Sequence, residues 1–528
     1  MEVKLSLWPA LLAVVTLILQ PGKSYSSNIL ALFPFSSRSH NNLYSIITKA
    51  LAEKGHSLTV ISSQPLECPP SNFRQIDFHE EMKKHLTISG SPIKGMGMFE
   101  ILSNIKGMTD DICRKTLFHP EVNKLLNQSS ISENFDLILT TTLYSECFYG
   151  FAHIHKAPLI LISPPGPLDS TYSNIGIVGL PSFIANAMYG FSDHMTFSQR
   201  IINTLVAFGH SFYYKYFVLS SVDSIMKEAY GKEIPSFSEV KKYVSLILVN
   251  HHFSLNGARP LAPNIIEIGG LHIKSPKELP QEIKQFMDGA NEHGVIYVSF
   301  GSILKSANFP IEIRNAFIEA FSKLKQRVLW KWEGVIPLPG QTENVRLEKW
   351  LPQQDVLAHP NVRIFITHGG LLSMQESASR GVPLIGIPCV GDQFTNLQRA
   401  VDLQIGVKLD PRNLTKESIL GAIDEVLGNP KYKQNMKDIK SLVEDQKDDI
   451  LERAIFWIEY VMRHKGAKHM RLSSAELAWY QLYMLDVFFV LVVMPVFIIS
   501  MSVFIIIKFN KKKCSSPGEM TVSSKKRQ

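Results

Sequence analysis

Residues 350–393, WLPQQDVLAHPNVRIFITHGGLLSMQESASRGVPLIGIPCVGDQ, hold the densest set of side chains able to do chemistry in this 528-residue chain. Residues 362–367 form a short apolar run rich in β-branched types, the pattern of a buried parallel strand. His368, Gly369 and Gly370 turn the chain, residues 371–380 have helical spacing, and Gly381 stands where glycine ends a helix. Residues 382–388 read as the next strand. Such a strand–Gly-Gly–helix unit leaves backbone N–H groups free at the helix start, where they attract an anion, usually a phosphate.

The polar groups around this turn suit a nucleotide-sugar better than a bare nucleotide. Trp350 offers a ring for a base, and Gln353 an amide for a uracil edge or a ribose. His368 can donate to a diphosphate oxygen. Glu376, about two turns on from His368, can accept from ribose hydroxyls, and Asp392 and Gln393 suit sugar hydroxyls. A second glycine turn, Gly301-Ser302, closes the apolar run 295–300, and Ser302 is a further contact for the diphosphate. Far upstream, His40 lies in the polar stretch 35–42, read as a loop just past the first strand. Ligands meet open α/β sheets at that end of their strands, and a histidine there suits general-base work.

Two sets of elements must position these groups. Residues 28–33 read as a buried strand, 42–54 as a helix ended by Gly55, and 57–61 as the next strand. Residues 135–141, 158–162 and 246–250 follow as further strands. Between them, 187–229 turns helical and aromatic-rich, a segment for the core or for contact with a lipophilic substrate or membrane. A connection carrying Pro260, Pro263, Pro276 and Pro280 marks a boundary. A second α/β half then opens at 294–302 and continues through the strand 328–332. The pattern implies two facing Rossmann-like domains with a cleft between them.

The ends of the chain carry signals of another kind. Lys4, an apolar run over 11–19 and the small residues Ser24, Ser26 and Ser27 read as a secretory signal. Residues 487–507 contain no charge and are long enough to cross a bilayer, although Pro495 lies inside. Trp479, Tyr480 and Tyr483 precede this run, and Lys508, Lys511, Lys512 and Lys513 follow it, which places the tail in the cytoplasm and the body in the lumen. The final Lys525-Lys526-Arg527-Gln528 resembles the dilysine retrieval signal of endoplasmic reticulum membrane proteins. The net charge of +8 sits mostly in the tail, so the body is nearly neutral and offers no nucleic-acid surface. The five cysteines have no metal spacing, and sequence alone does not pair them. Asn127 and Asn413 head glycosylation sequons.

The 350–393 stretch closely resembles the donor-binding signature of the UDP-glycosyltransferases, and the likeness, nearest to arthropod members, extends over the whole lumenal chain. The resemblance implies a GT-B fold, with the acceptor bound by the first domain and a UDP-sugar by the second. It implies residues 1–25 as signal, 26–255 as acceptor domain, 256–285 as linker and 286–450 as donor domain. Residues 451–486 then return to the first domain, 487–507 span the membrane and 508–528 form the basic tail. It also places the catalytic histidine at His40. Many relatives carry an aspartate after the strand matching 137–140; here Thr141 stands there, and Glu146 is the nearest carboxylate to orient His40. The implied reaction is a single in-line displacement with inversion. It needs no cofactor beyond the UDP-sugar co-substrate and no metal. The sugar is glucose, with glucuronate as the alternative, and the acceptor is a small lipophilic alcohol or phenol. A membrane-anchored binding protein without catalysis is the reading from another class, and self-association is left open.

Overall fold

The computed structural model describes residues 26–86, 98–126, 134–187 and 189–514. The signal segment, Asn127 and the dilysine tail lie outside the described residues.

Two parallel sheets organise the chain. The first has seven strands in the order β3-β2-β1-β4-β5-β6-β7: β1 (Asn28–Phe33), β2 (Ser57–Ser62), β3 (Phe73–Asp77), β4 (Leu137–Thr141), β5 (Leu159–Ser163), β6 (Val244–Val249) and β7 (Ile265–Glu267). The second has six in the order β10-β9-β8-β11-β12-β13: β8 (Val295–Ser299), β9 (Arg327–Lys331), β10 (Val345–Glu348), β11 (Val362–Thr367), β12 (Leu384–Gly386) and β13 (Gly406–Lys408). The central strands are buried along almost their whole length, which is why they read as unbroken apolar runs. The short strand β7 extends the first sheet into the proline-bearing stretch expected to be linker.

Six helices matter for the site: α1 (Arg38–Glu53), α2 (Met98–Leu117), α3 (Phe197–Tyr213), α4 (Leu371–Arg380), α5 (Gln393–Asp402) and α6 (Ile450–Arg463). The sequence pattern starts α1 at about residue 42; in the structure it begins four residues earlier. Ser37 caps it by accepting from the His40 N–H at 3.3 Å, so His40 sits in the first helical turn rather than in a loop. Such a cap stabilises a helix by about 1 kcal/mol. It extends the helix into the polar run Arg38-Ser39-His40-Asn41, where apolar periodicity gives no signal. The apolar face of α6 (Ala454, Ile455, Ile458, Val461) packs on the first sheet with Leu43, Ile47 and Leu51 of α1.

In each sheet the strand order reverses once, between β1 and β4 and between β8 and β11. A crevice opens at such a reversal beyond the carboxyl ends of the strands. The turns leaving β1 and β4 lead to His40 and Glu146, and those leaving β8 and β11 lead to Ser302 and His368. Past α6, residues Leu485–Lys511 form one apolar helix long enough to cross a membrane, and none of it is packed inside the molecule. Pro495 is accommodated because the turn before it, Phe489–Val493, is a π-helix, which absorbs the lost hydrogen bond and the clash of the ring.

Candidate active site

The two crevices form one cleft of about 1710 Å³. His40, Glu146, Ser302, Trp350, Gln353, His368, Gly370, Glu376, Asp392 and Gln393 all line it. Gly369 lies immediately behind, in the turn itself.

The turn after β11 is built around the His368 ring. Gly301 and Gly370 lie against it so closely that a Cβ on either would come within 2.7 Å of ring atoms. Gly369 has φ +82°, and a Cβ there would meet Leu397 at 2.4 Å, so the position accepts only glycine. Lys331, at the end of β9, donates to the Gly301 carbonyl at 2.8 Å and to Glu333 at 2.6 Å. Burial and the Lys331 charge push the His368 imidazole down to about 4. The ring is therefore neutral at physiological pH and presents one N–H as a donor. Gly370 caps α4 without a side-chain hydrogen bond, which leaves the N–H groups of the first turn for a ligand. Helix start and imidazole together make a donor-rich corner suited to a diphosphate.

Next to this corner Gln353 and Glu376, expected as separate ligand contacts, are bonded to each other. Gln353 Nε2 donates to Glu376 Oε2 at 2.5 Å and to Ser373 at 2.9 Å, while its carbonyl accepts from the Tyr297 hydroxyl at 3.1 Å. Gln354 donates to the other Glu376 oxygen at 3.1 Å. Burial raises the Glu376 carboxyl to about 7, against the Gln353 and Gln354 hydrogen bonds. His272 lies 3.6 Å from the same carboxylate, but burial lowers it to about 4, so the contact is not an ion pair at neutral pH. Tyr297, Gln354, Ser373 and His272 were not singled out by sequence reasoning. Only Gln354, in the Gln-Gln-Asp run, carried a local signal; the others reach the site through strand and helix packing.

Trp350 is 54% exposed, so its ring is available to a ligand. The guanidinium of Arg38 now lies over it, 4.8 Å from the ring centroid. Asp392 accepts from Asn396 Nδ2 at 2.8 Å, and the same amide donates to the Gly369 carbonyl at 3.1 Å. One side chain of α5 thus ties the glycine turn to the Asp392 carboxylate, which burial raises to about 6. The Gln393 carbonyl accepts the N–H groups of Cys389 and Val390 at 2.8 and 3.0 Å, which leaves its NH₂ for other partners.

On the first-domain wall, burial lowers the His40 imidazole to about 4, and its Nδ1 is enclosed without a hydrogen-bond partner. Glu146, expected to orient that ring, makes no hydrogen bond to it. Its Oε1 accepts from the Tyr214 hydroxyl, and Oε2 is enclosed without a partner. Thr141, at the end of β4, accepts from the Tyr44 hydroxyl at 2.8 Å instead of reaching the ring. A disulfide joins Cys113 of α2 to Cys147, the residue after Glu146. Asn413 is exposed on a short 3-10 turn.

Two facing Rossmann-like domains with such a cleft define a GT-B glycosyltransferase fold. Solved structures agree: a UDP-glucosyltransferase from Polygonum tinctorium that glucosylates indoxyl superposes with TM-score 0.54 at 16% identity, over 83% of this chain and 98% of that one. The calicheamicin glycosyltransferase CalG4 superposes with TM-score 0.52 at 17% identity, over 83% and 99%. The family model described as UDP-glucoronosyl and UDP-glucosyl transferase matches residues 32–520, and the chain belongs to that family. It is 36% identical to the UDP-glycosyltransferase UGT5 of Dactylopius coccus over 88% of each chain, and equally identical to UDP-glucosyltransferase 2 of that insect over 88% and 89%. With human UDP-glucuronosyltransferase 2B10 the identity is 31%, over 84% and 86%. The protein is a UDP-glycosyltransferase.

Proposed function

We propose that this enzyme transfers glucose from UDP-glucose to a hydroxyl of a small lipophilic acceptor, with inversion. The observation that carries the reading is the single cleft into which His40 opens from the first domain and the His368–α4 corner from the second. The base stacks on Trp350, the ribose meets Glu376, and the diphosphate lies at His368, Gly369, Gly370 and Ser302. The sugar hydroxyls meet Asp392 and Gln393. His40 takes the acceptor proton as the acceptor oxygen bonds to the anomeric carbon. The bond from that carbon to the phosphate oxygen breaks, and UDP leaves with the electron pair. A neutral imidazole is the form that can accept this proton, and burial keeps His40 neutral. Preorganised donors at the diphosphate supply the main stabilisation of the leaving group. Glucose is favoured over glucuronate because the insect relatives, one named a glucosyltransferase, are more similar than the mammalian glucuronosyltransferases.

The acceptor arrives from a membrane, to which Leu485–Lys511 anchors the chain. Phe197, Ile201, Leu205, Phe208, Phe212 and Tyr216 recur at helical spacing along α3 and its continuation, and all are exposed. Phe208 lies 6.5 Å from Tyr483, just before the apolar helix, so this stripe continues the membrane-facing surface. The disulfide fits an oxidising lumen, with the body lumenal, the tail cytosolic and the protein resident in the endoplasmic reticulum.

The test uses microsomes containing the full chain, a simple phenol, and UDP-glucose or UDP-glucuronate. A β-glucoside from wild type and almost none from His40→Ala is expected. No product with either donor overturns transfer, and product mainly from UDP-glucuronate overturns the choice of sugar.

A further inference from the structure

Glu146 is a buried carboxyl on the cleft wall, and nothing in the proposed transfer uses it. Phe35, Ile101, Ile105, Met108 and Leu143 line the same cleft. Ionisable groups are rarely left in such surroundings unless paired, because burial penalises their charge. Here burial raises the Glu146 carboxyl above its usual range, with the Tyr214 hydroxyl and the backbone N–H groups of Glu146 and Ser145 acting against it. One oxygen is satisfied by Tyr214, and the other is enclosed without a partner. A half-satisfied buried carboxyl is costly to the fold, and a ligand that donates a hydrogen bond removes that cost.

Several independent devices hold this group in place. Tyr144, two residues before it, adopts φ +54°, a strained conformation for a bulky residue. The Cys113–Cys147 disulfide fixes the next residue to α2. The Tyr230 hydroxyl donates to the Cys147 carbonyl at 2.9 Å, and Gly150 leaves room for that ring, which a Cβ would meet at 2.6 Å. Tyr214 itself opens a π-helical turn, Tyr214–Val218, at the end of α3; such turns re-aim side chains at functional sites. Preorganisation of this kind is what a recognition group requires.

We propose that Glu146, held by Tyr214, is the polar anchor of the acceptor site, which therefore selects lipophilic acceptors carrying a second hydrogen-bond donor away from the hydroxyl that reacts. The acceptor is a diol-like molecule: an apolar body, one hydroxyl at His40, and a hydroxyl or amine donating to Glu146 Oε2. The proposal rests on the transfer reading above, and it replaces a role for Glu146 in orienting His40.

The test compares two series of phenols on the full-length enzyme with UDP-glucose. One series bears alkyl chains of increasing length, and the other bears the same chains ending in a hydroxyl. At the best length, the hydroxylated member is expected to exceed its alkyl match by about tenfold in kcat/KM, the effect of one hydrogen bond to a buried polar group. Glu146→Leu should collapse this ratio to about one and so invert the ranking, because the alkyl chain then meets an apolar wall. Tyr214→Phe and Glu146→Gln, which preserve shape, should each reduce the ratio in part, so the proposal stays testable if the leucine variant folds poorly. A wild-type ratio near one, or a ratio that survives all three substitutions, overturns it. So does an equal fall in kcat for both series in Glu146→Gln with a changed pH limb, which would show that Glu146 acts through His40. Absence of product from every phenol would instead be a failure of the transfer reading.

Discussion

Arg38, the first residue of α1, spans the cleft to lie over the ring of Trp350, its guanidinium carbon 4.8 Å from the centroid. One residue belongs to the first-domain wall, the proposed acceptor side, and the other is the proposed platform for the base. A base that stacks on the face Arg38 covers must displace it, at the cost of a cation–π contact worth about 0.5–1 kcal/mol at an exposed site. Arg38→Ala is expected to tighten UDP binding by about two- to fivefold in calorimetry. Weaker binding in the variant would mean that Arg38 moves onto the ligand instead of out of its way.

If Glu376 holds the ribose as proposed, it links donor binding to pH. Its carboxyl is raised to about 7 by burial. Only the ionised form accepts fully from two ribose hydroxyls, so UDP affinity should increase as pH rises through about 7, by at most tenfold per unit below it. The sign for stability is opposite. The folded state holds an extra proton between the ordinary glutamate value of 4.5 and about 7, so this group's contribution is fully present below 4.5 and is lost as pH rises to about 7. Glu376→Gln should flatten the affinity profile and raise Tm relative to wild type at pH above about 7. Titration of the UDP phosphate is common to both proteins, so only their difference matters. Identical affinity profiles would remove Glu376 from donor binding.

How much of this was legible in the sequence follows from how local each feature is. The β11–turn–α4 unit could be read because each signal lies within a few residues of what it controls: a β-branched run, two glycines, a helical period, a glycine stop. Gly381 does adopt φ +65° at the end of α4. The strands β3 and β10 were missed because FRQID and VRLE are half polar, as edge strands tend to be. The Gln353–Glu376 bond, the Cys113–Cys147 pair and the separation of Glu146 from His40 depend on packing between distant segments, to which no local pattern reports. The aromatic run of α3 gave an ambiguous signal because it serves two surfaces: Phe208, Phe212 and Tyr216 face outward while Tyr214 lines the cleft.

If His40 is the base, its removal should cost about 10²- to 10⁴-fold in kcat with little change in UDP affinity. Burial lowers its pKa to about 4, so the neutral form dominates above about pH 5. The limb of kcat/KM assigned to His40 should therefore rise near pH 4 and be flat across the neutral range. A limb near 6.5 that disappears in His40→Gln would place the ring in a wetter environment than the structure shows. Equal activity in His40→Ala would remove it from catalysis.

The two glycines of the turn should fail in different ways. In Gly369→Ala the new Cβ meets Leu397 at 2.4 Å with the backbone at φ +82°, so folding suffers and Tm falls. In Gly370→Ala the backbone is ordinary, and the Cβ instead meets the His368 ring at 2.7 Å. The ring must turn away from the helix start, and UDP affinity should fall about tenfold, the loss of one charge-assisted hydrogen bond, with a smaller change in Tm. Equal effects of the two substitutions on Tm and on UDP affinity would show that the His368 ring is not held by Gly370.

The Cys113–Cys147 bond closes a loop of sequence separation 34 and restrains the segment that carries Glu146. Replacing both cysteines by serine is expected to cost about 2–4 kcal/mol of stability by releasing that loop in the unfolded chain. The release also frees the Glu146 turn, whose conformation at Tyr144 is strained and needs outside support. KM for a hydroxylated acceptor should therefore rise more than KM for the donor, since the His368 corner and the Glu376 cluster belong to the other sheet. Steady-state kinetics at a temperature well below the variant's Tm separates the two effects. A parallel rise in both constants would show that the disulfide supports the cleft as a whole instead of the acceptor wall.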